Sequence, residues 1–215
     1  MAGKFYALKI SLSECHVEVT RTFVVPSDLR LDYLHQIIQD VMGWRNSHLH
    51  EFQTETKRYG MKIEDADEEL YDERRVRLSG IAKLRKPCFG YIYDYGDEWV
   101  HHVEVIDFDY VGLPLRRKLY CLEAKGACPP EDVGGSFGYE DFCRAVNDPN
   151  NPEHEEMTEW VYEVCNYPRT QKWPDGVSID KINELLKACE AGLRRIEAAK
   201  KPKPRKVWMY TGERK

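Results

Sequence analysis

The chain reads as an α+β protein: an antiparallel or mixed sheet opening ββα, in a β-grasp-like order, covered by one central helix and by C-terminal helices. Three observations predict this. Strand-like alternation and helix-like periodicity come in separate blocks and not as a repeating βαβ pattern. The chain opens with two apolar runs followed by an amphipathic helix. Its last third carries apolar residues three and four apart, in stretches bounded by Asn, Pro and Ser.

The first two strands are "FYALKISL" and "CHVEVTRTFVVP", with Val17, Val19, Phe23 and Val25 carrying the alternation and Ser13-Glu14 as the turn. Pro26 closes the second strand, and Ser27 or Asp28 is expected to cap a helix from about residue 29 to 42. Leu31, Leu34, Ile38 and Val41 form its stripe, Ile37 widens it, and Gly43 supplies the stop. His35 sits beside that stripe and is expected to be a partly buried histidine without a chemical task.

"SHLHEFQTETKRYG" is expected to be a third strand that places His48 and His50 on one face, with Leu49 on the other. "EDADEEL" is an acidic connection, and "VRLSGIAKL" a short strand or helical turn. "CFGYIY", a turn around "DYGD", and "EWVHHVEVIDF" make a hairpin. A loop with an odd number of residues puts Tyr91, Tyr93, Trp99, His101 and Val103 on one core-like face, with His102 on the other.

After Tyr110, "CLEAKGACPPEDVGGSFGYEDF" reads as an ordered Gly/Pro-rich loop leading to a helix with Tyr139, Phe142, Cys143 and Val146 inward. "NDPNNPEHEE" starts another helix, with Asn151 as cap, Pro152 in the first turn, and Met157, Trp160, Val161 and Val164 as its buried stripe. Ser178 caps a long helix with the stripe Ile179, Ile182, Leu185, Leu186, Cys189, Leu193 and Ile196. The organisation expected is one domain over 1–199 and a basic tail over 200–215.

Composition sets limits on function. Of 215 residues, 42% are hydrophobic and 32% charged, the composition of a soluble globular protein. No apolar run is long enough to span a membrane, and the first residues turn polar too quickly for a secretory signal, so a cytoplasmic location is expected. Seven cysteines, odd in number and never spaced C-x-x-C, argue for reduced thiols rather than a disulfide framework or a structural zinc site. The net charge of −5 is uneven: residues 194–215 carry nine Lys/Arg and two Glu, and the rest of the chain is acidic. Only the tail therefore attracts phosphate by charge, through Lys200, Lys201, Lys203, Arg205 and Lys206, with Trp208 available for stacking.

Four blocks carry a resemblance: "MGWRNSHLHEF", "YDYGDEWVHHVEV", "GACPPEDVGGSFGYEDF" and "DPNNPEHEEMTEW". In sequence and order they resemble the plasmid Ri ORF-three-like family, found on plasmids and in insertion elements, over roughly residues 5–165. The resemblance implies an α+β fold. Some members are labelled resolvases, but this chain shows no serine nucleophile among clustered arginines and no helix-turn-helix. Where members carry a Pro-Pro-Ile-Trp-Arg-Arg-like run, this chain reads "ECHVEVTRTF".

Two functional readings follow. The first is a noncatalytic binding or adaptor module associated with plasmids or mobile elements, recognising protein or nucleic acid and requiring no cofactor. The alternative is a metal-dependent hydrolase acting on phosphoesters, drawing on the polar set His48, His50, Asp94, Asp97, His101 (or His102), Cys128, Asp132 and His154. In that reading His48 and His50 are the primary ligands for zinc or manganese, with carboxylates completing the set and one position left for water. Cys128 becomes a nucleophile only if a histidine approaches it. The glycines after Asp132 lack the Gly-Lys-Ser/Thr ending of a phosphate loop, which favours a packing role.

Overall fold

The computed structural model describes residues 4–61, 70–114 and 116–200, with side chains described as far as residue 192. The tail positions Lys201, Lys203, Arg205, Lys206 and Trp208, and most of "EDADEEL", lie outside the described residues.

Strands β1 (Phe5–Leu12) and β2 (Thr20–Pro26) are followed by α1 (Leu31–Met42), β3 (His50–Gln53), β4 (Arg58–Gly60), β5 (Leu70–Asp72) and the short α2 (Leu78–Ile81). The hairpin β6 (Cys88–Tyr93) and β7 (Trp99–Asp107) comes next, then β8 (Tyr120–Lys125). Helices α3 (Gly135–Asn147), α4 (His154–Glu159) and α5 (Ile179–Lys200) complete the described chain. The eight strands form one mixed sheet ordered β5-β4-β3-β6-β7-β1-β2-β8, in which only β4 and β5 run parallel. The ββα order opens the chain, but β1 lies between antiparallel β2 and β7, which leaves a β-grasp sheet without support.

Alternation makes the sheet two-faced. Cross-strand partners trace one buried row from Phe52 through Tyr91 and His101 to Leu12, and a second from Val103 through Ile10 to Arg21. The Arg21 guanidinium donates from Nε to the Val41 carbonyl at the end of α1, and from an Nη to the carbonyls of Thr20 and Lys125. A cation thus sits where the helix dipole is negative, which places α1 over this face. α5 packs against α1 and β8. The opposite face presents Lys9, Cys88, His102, Glu104, Gln53 and Arg58.

The β6–β7 loop has five residues, and Tyr93 pairs with Trp99, so the odd-loop register is the one observed. Tyr91, Tyr93, Trp99, His101 and Val103 are all buried, and His102 is exposed on the other side.

Several local expectations change. Neither Ser27 nor Asp28 caps α1; the Leu31 N–H donates instead to the Val76 carbonyl at 3.0 Å, so a distant segment supplies the acceptor. Gly43 does end the helix, with φ 108° and its N–H on Gln39 O. β2 begins at Thr20, so "CHVEV" is connection, not strand. "SHLHEFQTETKRYG" is the β3–β4 hairpin, and His48 precedes β3. The stretch after Tyr110, expected to be loop, contains β8, an edge strand on which only Cys121 is fully buried. α4 starts at His154, after Asn151 and Pro152, and Val164 is exposed. In α5, Ile182 and Leu186 face the core, whereas Ile179 and Leu185 are exposed.

Candidate functional site

Three loops meet at one end of the sheet. The α1–β3 connection docks on the 128–132 loop: the Trp44 indole N–H donates to Pro129 O at 3.1 Å, and the Arg45 backbone N–H to Glu131 Oε1 at 2.8 Å. The β6–β7 turn joins them through Asp97, whose Oδ2 accepts from the Gly134 N–H at 3.1 Å. Gly135 has φ 70°, and a Cβ there would lie 2.9 Å from Asp97 O, so this contact requires glycine. Asn46, Asp94, Glu98 and Asp132 all adopt positive φ around this junction. Non-glycine residues hold that conformation at a cost, and such strain concentrates where side-chain direction matters.

His48 is the centre of the junction. Its Nε2 lies 3.3 Å from Asp132 Oδ1 and 3.4 Å from Glu131 Oε2, and its Nδ1 lies 3.5 Å from Asp94 Oδ2. Nε2 is shielded from solvent and has no hydrogen-bond partner among the described residues. One donor atom each from His48, Asp94 and Asp132 can be chosen so that all lie within 4.8 Å of one another. Around a tetrahedral ion with bonds of about 2.0–2.1 Å, neighbouring donors stand roughly 3.3–3.4 Å apart. The spacing from Nε2 to Asp132 matches such an edge; Glu131 is as near to Nε2 but does not belong to the group whose donors all lie within reach of one another. Asp94, buried on the Nδ1 side, is the third member of the convergent group.

Tyr93 braces the arrangement. Its hydroxyl donates to Glu131 Oε1 at 3.0 Å and accepts from the Ser47 N–H at 2.9 Å. Burial, followed by the Glu131 charge, pushes its phenol well above the ordinary value, so it stays a donor. Asp132 is largely exposed and opens the junction to solvent.

Beside the junction lies a hollow of ≈ 590 Å³ lined by His35, Asn46, His48, His50 and Glu73 among others. His50 does not join His48 on a ligand face, as the single-strand reading required. It starts β3, its Nε2 is 2.8 Å from the buried Glu73 Oε2, and its ring stacks on His35 at 3.4 Å between centroids. His35 is buried, with Nε2 2.7 Å from Asn46 Oδ1 and Nδ1 2.8 Å from the Tyr91 hydroxyl. Since Asn46 Oδ1 only accepts, Nε2 carries the proton and Nδ1 accepts from Tyr91. Burial, with the His50 charge second, pushes His35 down to about 3. It is a neutral, fully engaged core histidine.

The other members of the polar set are dispersed. His101 is buried against Trp44, with Nδ1 3.1 Å from Tyr91 O, and burial pushes it down to about 4. Asp97 serves the loop contact described above. Cys128 is buried, no histidine hydrogen-bonds it among the described residues, and burial raises its thiol far above the ordinary value. His154 binds the Ala145 carbonyl at 2.8 Å and faces a different hollow. Of the eight residues in the set, His48, Asp94 and Asp132 converge, and His50 borders the same hollow as His48.

Glu131, Tyr93 and Glu73 escaped the sequence reading as site residues. Glu131 adjoins Asp132, and that adjacency was its one local signal. Glu73 has none, because it reaches His50 from a separate turn.

An eight-stranded mixed sheet with helices on one face, and a histidine ringed by carboxylates at one end, define an α+β protein with a candidate cation site. The chain belongs to the plasmid pRiA4b ORF-3-like protein family, whose model matches residues 4–171. It is 40% identical over 164 residues to the uncharacterized protein y4hQ of Sinorhizobium fredii, covering 74% of this chain and 82% of that one. It is also similar to the crystal structure of a protein of unknown function, MM3350, from Methanosarcina mazei Go1. That likeness has a TM-score of 0.70 at 27% identity and covers 84% of this chain and 98% of the other. Among the described residues no helix is long and apolar enough to cross a membrane. These relatives carry no catalytic description, and the family accounts for the α+β fold without assigning a reaction.

Proposed function

We propose that the protein is a noncatalytic binding module that holds one divalent cation at His48, Asp94 and Asp132, with Glu131 beside them as a supporting carboxylate. The observation that carries this reading is the shielded, unpartnered Nε2 of His48 beside two carboxylates. Three carboxylates around a single imidazole leave negative charge that a dication offsets. The donors are nitrogen and oxygen, which suits manganese as well as zinc. Residues 1–199 act as the binding domain and 200–215 as a basic appendage that adds nonspecific attraction for nucleic acid.

The test is calorimetric titration of metal-free, full-length protein with Mn²⁺, alongside His48→Ala. One equivalent is expected, with affinity falling at least about tenfold in the variant. Equal binding by both proteins overturns the proposal. A second reading, a metal-dependent phosphoesterase, draws on the buried His50–Glu73 pair at the same hollow, which supplies a base. Mn²⁺-dependent turnover of bis(p-nitrophenyl) phosphate that vanishes in His50→Gln would replace the noncatalytic reading.

A further inference from the structure

The sheet face turned away from the helices holds a second set of ligand groups. On β7, His102 and Glu104 alternate with the buried His101, Val103 and Val105, so both point to the open face. On β6, Cys88 lies directly opposite Glu104 and diagonal to His102. The residue opposite His102 on that strand is Gly90, which leaves its imidazole room to lean toward Cys88. One donor atom from each of Cys88, His102 and Glu104 lies within 4.8 Å of the other two. Cys88 and His102 are exposed, Glu104 is half-buried, and Cys88 is a free thiol. On the other flank β1 places Lys9 opposite Glu104 and Ser11 opposite His102.

Register, not chance proximity, builds this set. A shift of one residue in the β6–β7 pairing would turn Cys88 away from Glu104 and bury it, and the aromatic row on the opposite face fixes that pairing. Carboxylate and thiol are poor neighbours without a cation, because the negative carboxylate opposes formation of a thiolate. A dication reverses that relation: binding expels the thiol proton to solvent and makes both groups ligands.

We infer that Cys88, His102 and Glu104 form a second metal site, of the zinc class, on the open face of the sheet, with a fourth position left to water. One sulfur, one imidazole and one carboxylate select a borderline-soft divalent ion over the harder manganese. The site is independent of the one at His48; it uses other residues, lies on the open sheet face and not at the loop junction, and has a different donor set.

Co²⁺ serves as the probe, because a thiolate on tetrahedral Co²⁺ gives a near-ultraviolet charge-transfer band that a nitrogen-and-oxygen site lacks. Reduced, metal-free, full-length protein is titrated with Co²⁺ and back-titrated with Zn²⁺. The band is expected to saturate at one equivalent in His48→Ala and by two equivalents in the wild-type protein, whose His48 site also takes Co²⁺, with Zn²⁺ abolishing it in both. Cys88→Ser should lose it, and His102→Asn should need at least about tenfold more Co²⁺. Cys88 is exposed, so its variant should fold, and circular dichroism verifies that. No band in the wild type, the same band in Cys88→Ser, or unchanged affinity in His102→Asn each overturns the inference. Loss of Mn²⁺ binding in His48→Ala with the Co²⁺ band intact separates the two sites.

Discussion

Acidification should destabilise this protein well above the pH at which its carboxylates are protonated, and His35 is one of two buried histidines responsible. Burial pushes its folded pKa down to about 3 from an ordinary 6.5, and the Asn46 and Tyr91 hydrogen bonds hold it in one neutral tautomer. A histidine neutral in the fold and protonated when unfolded contributes stability that is fully present above the unfolded value. That stability is lost as pH falls from there toward the folded value. Moving from about pH 7 to about pH 5 costs roughly 2 kcal/mol for one such group, at ~1.4 kcal/mol for each pH unit below 6.5. His101, pushed down to about 4 by burial, adds a similar amount. The pair therefore removes about 4 kcal/mol, a large share of the ~5–15 kcal/mol by which domains are stable. Glu51 does not blur this window. Burial pushes its carboxyl up, but hydrogen bonds from Arg58, Gln53 and Tyr95 together hold it below 4.5. Urea unfolding at stepped pH measures the effect. His35→Asn should take up about one proton fewer on unfolding, which lowers the pH slope of stability by ~1.4 kcal/mol per unit below pH 6. An unchanged slope in the variant would refute the assignment of His35 as a buried neutral group.

Two further outcomes follow from the site and the tail. Tyr93→Phe removes the hydroxyl that braces Glu131 and the Ser47 N–H, so it should cost about 1–2 kcal/mol of stability and weaken Mn²⁺ binding by ~10–100-fold, read by the same urea and calorimetric measurements. Deleting 200–215 should weaken retention of DNA or RNA on filters and flatten its salt dependence; unchanged retention would show that the basic appendage contributes nothing.

Much of the architecture was legible because it depends on period and local chemistry. Alternation set the inward row Tyr91-Tyr93-Trp99-His101-Val103, and the hairpin turned where Asp94, Gly96 and Asp97 stand. The cap of α1 was misplaced because a backbone carbonyl at Val76 does what a side chain at Ser27 or Asp28 would do locally. β8 was missed because an edge strand buries too little to show a period.

The site divides the same way. Sequence alone determined which ligand types this protein owns, and that His101 and His102 must point to opposite faces, because a strand alternates side chains whatever surrounds it. Only the tertiary structure decided which of them meet. His48 and His50 parted because β3 begins at His50, leaving His48 on a connection drawn to the 128–132 loop. Cys88, His102 and Glu104 came together because register across two strands is a property of the pairing, which neither strand encodes by itself.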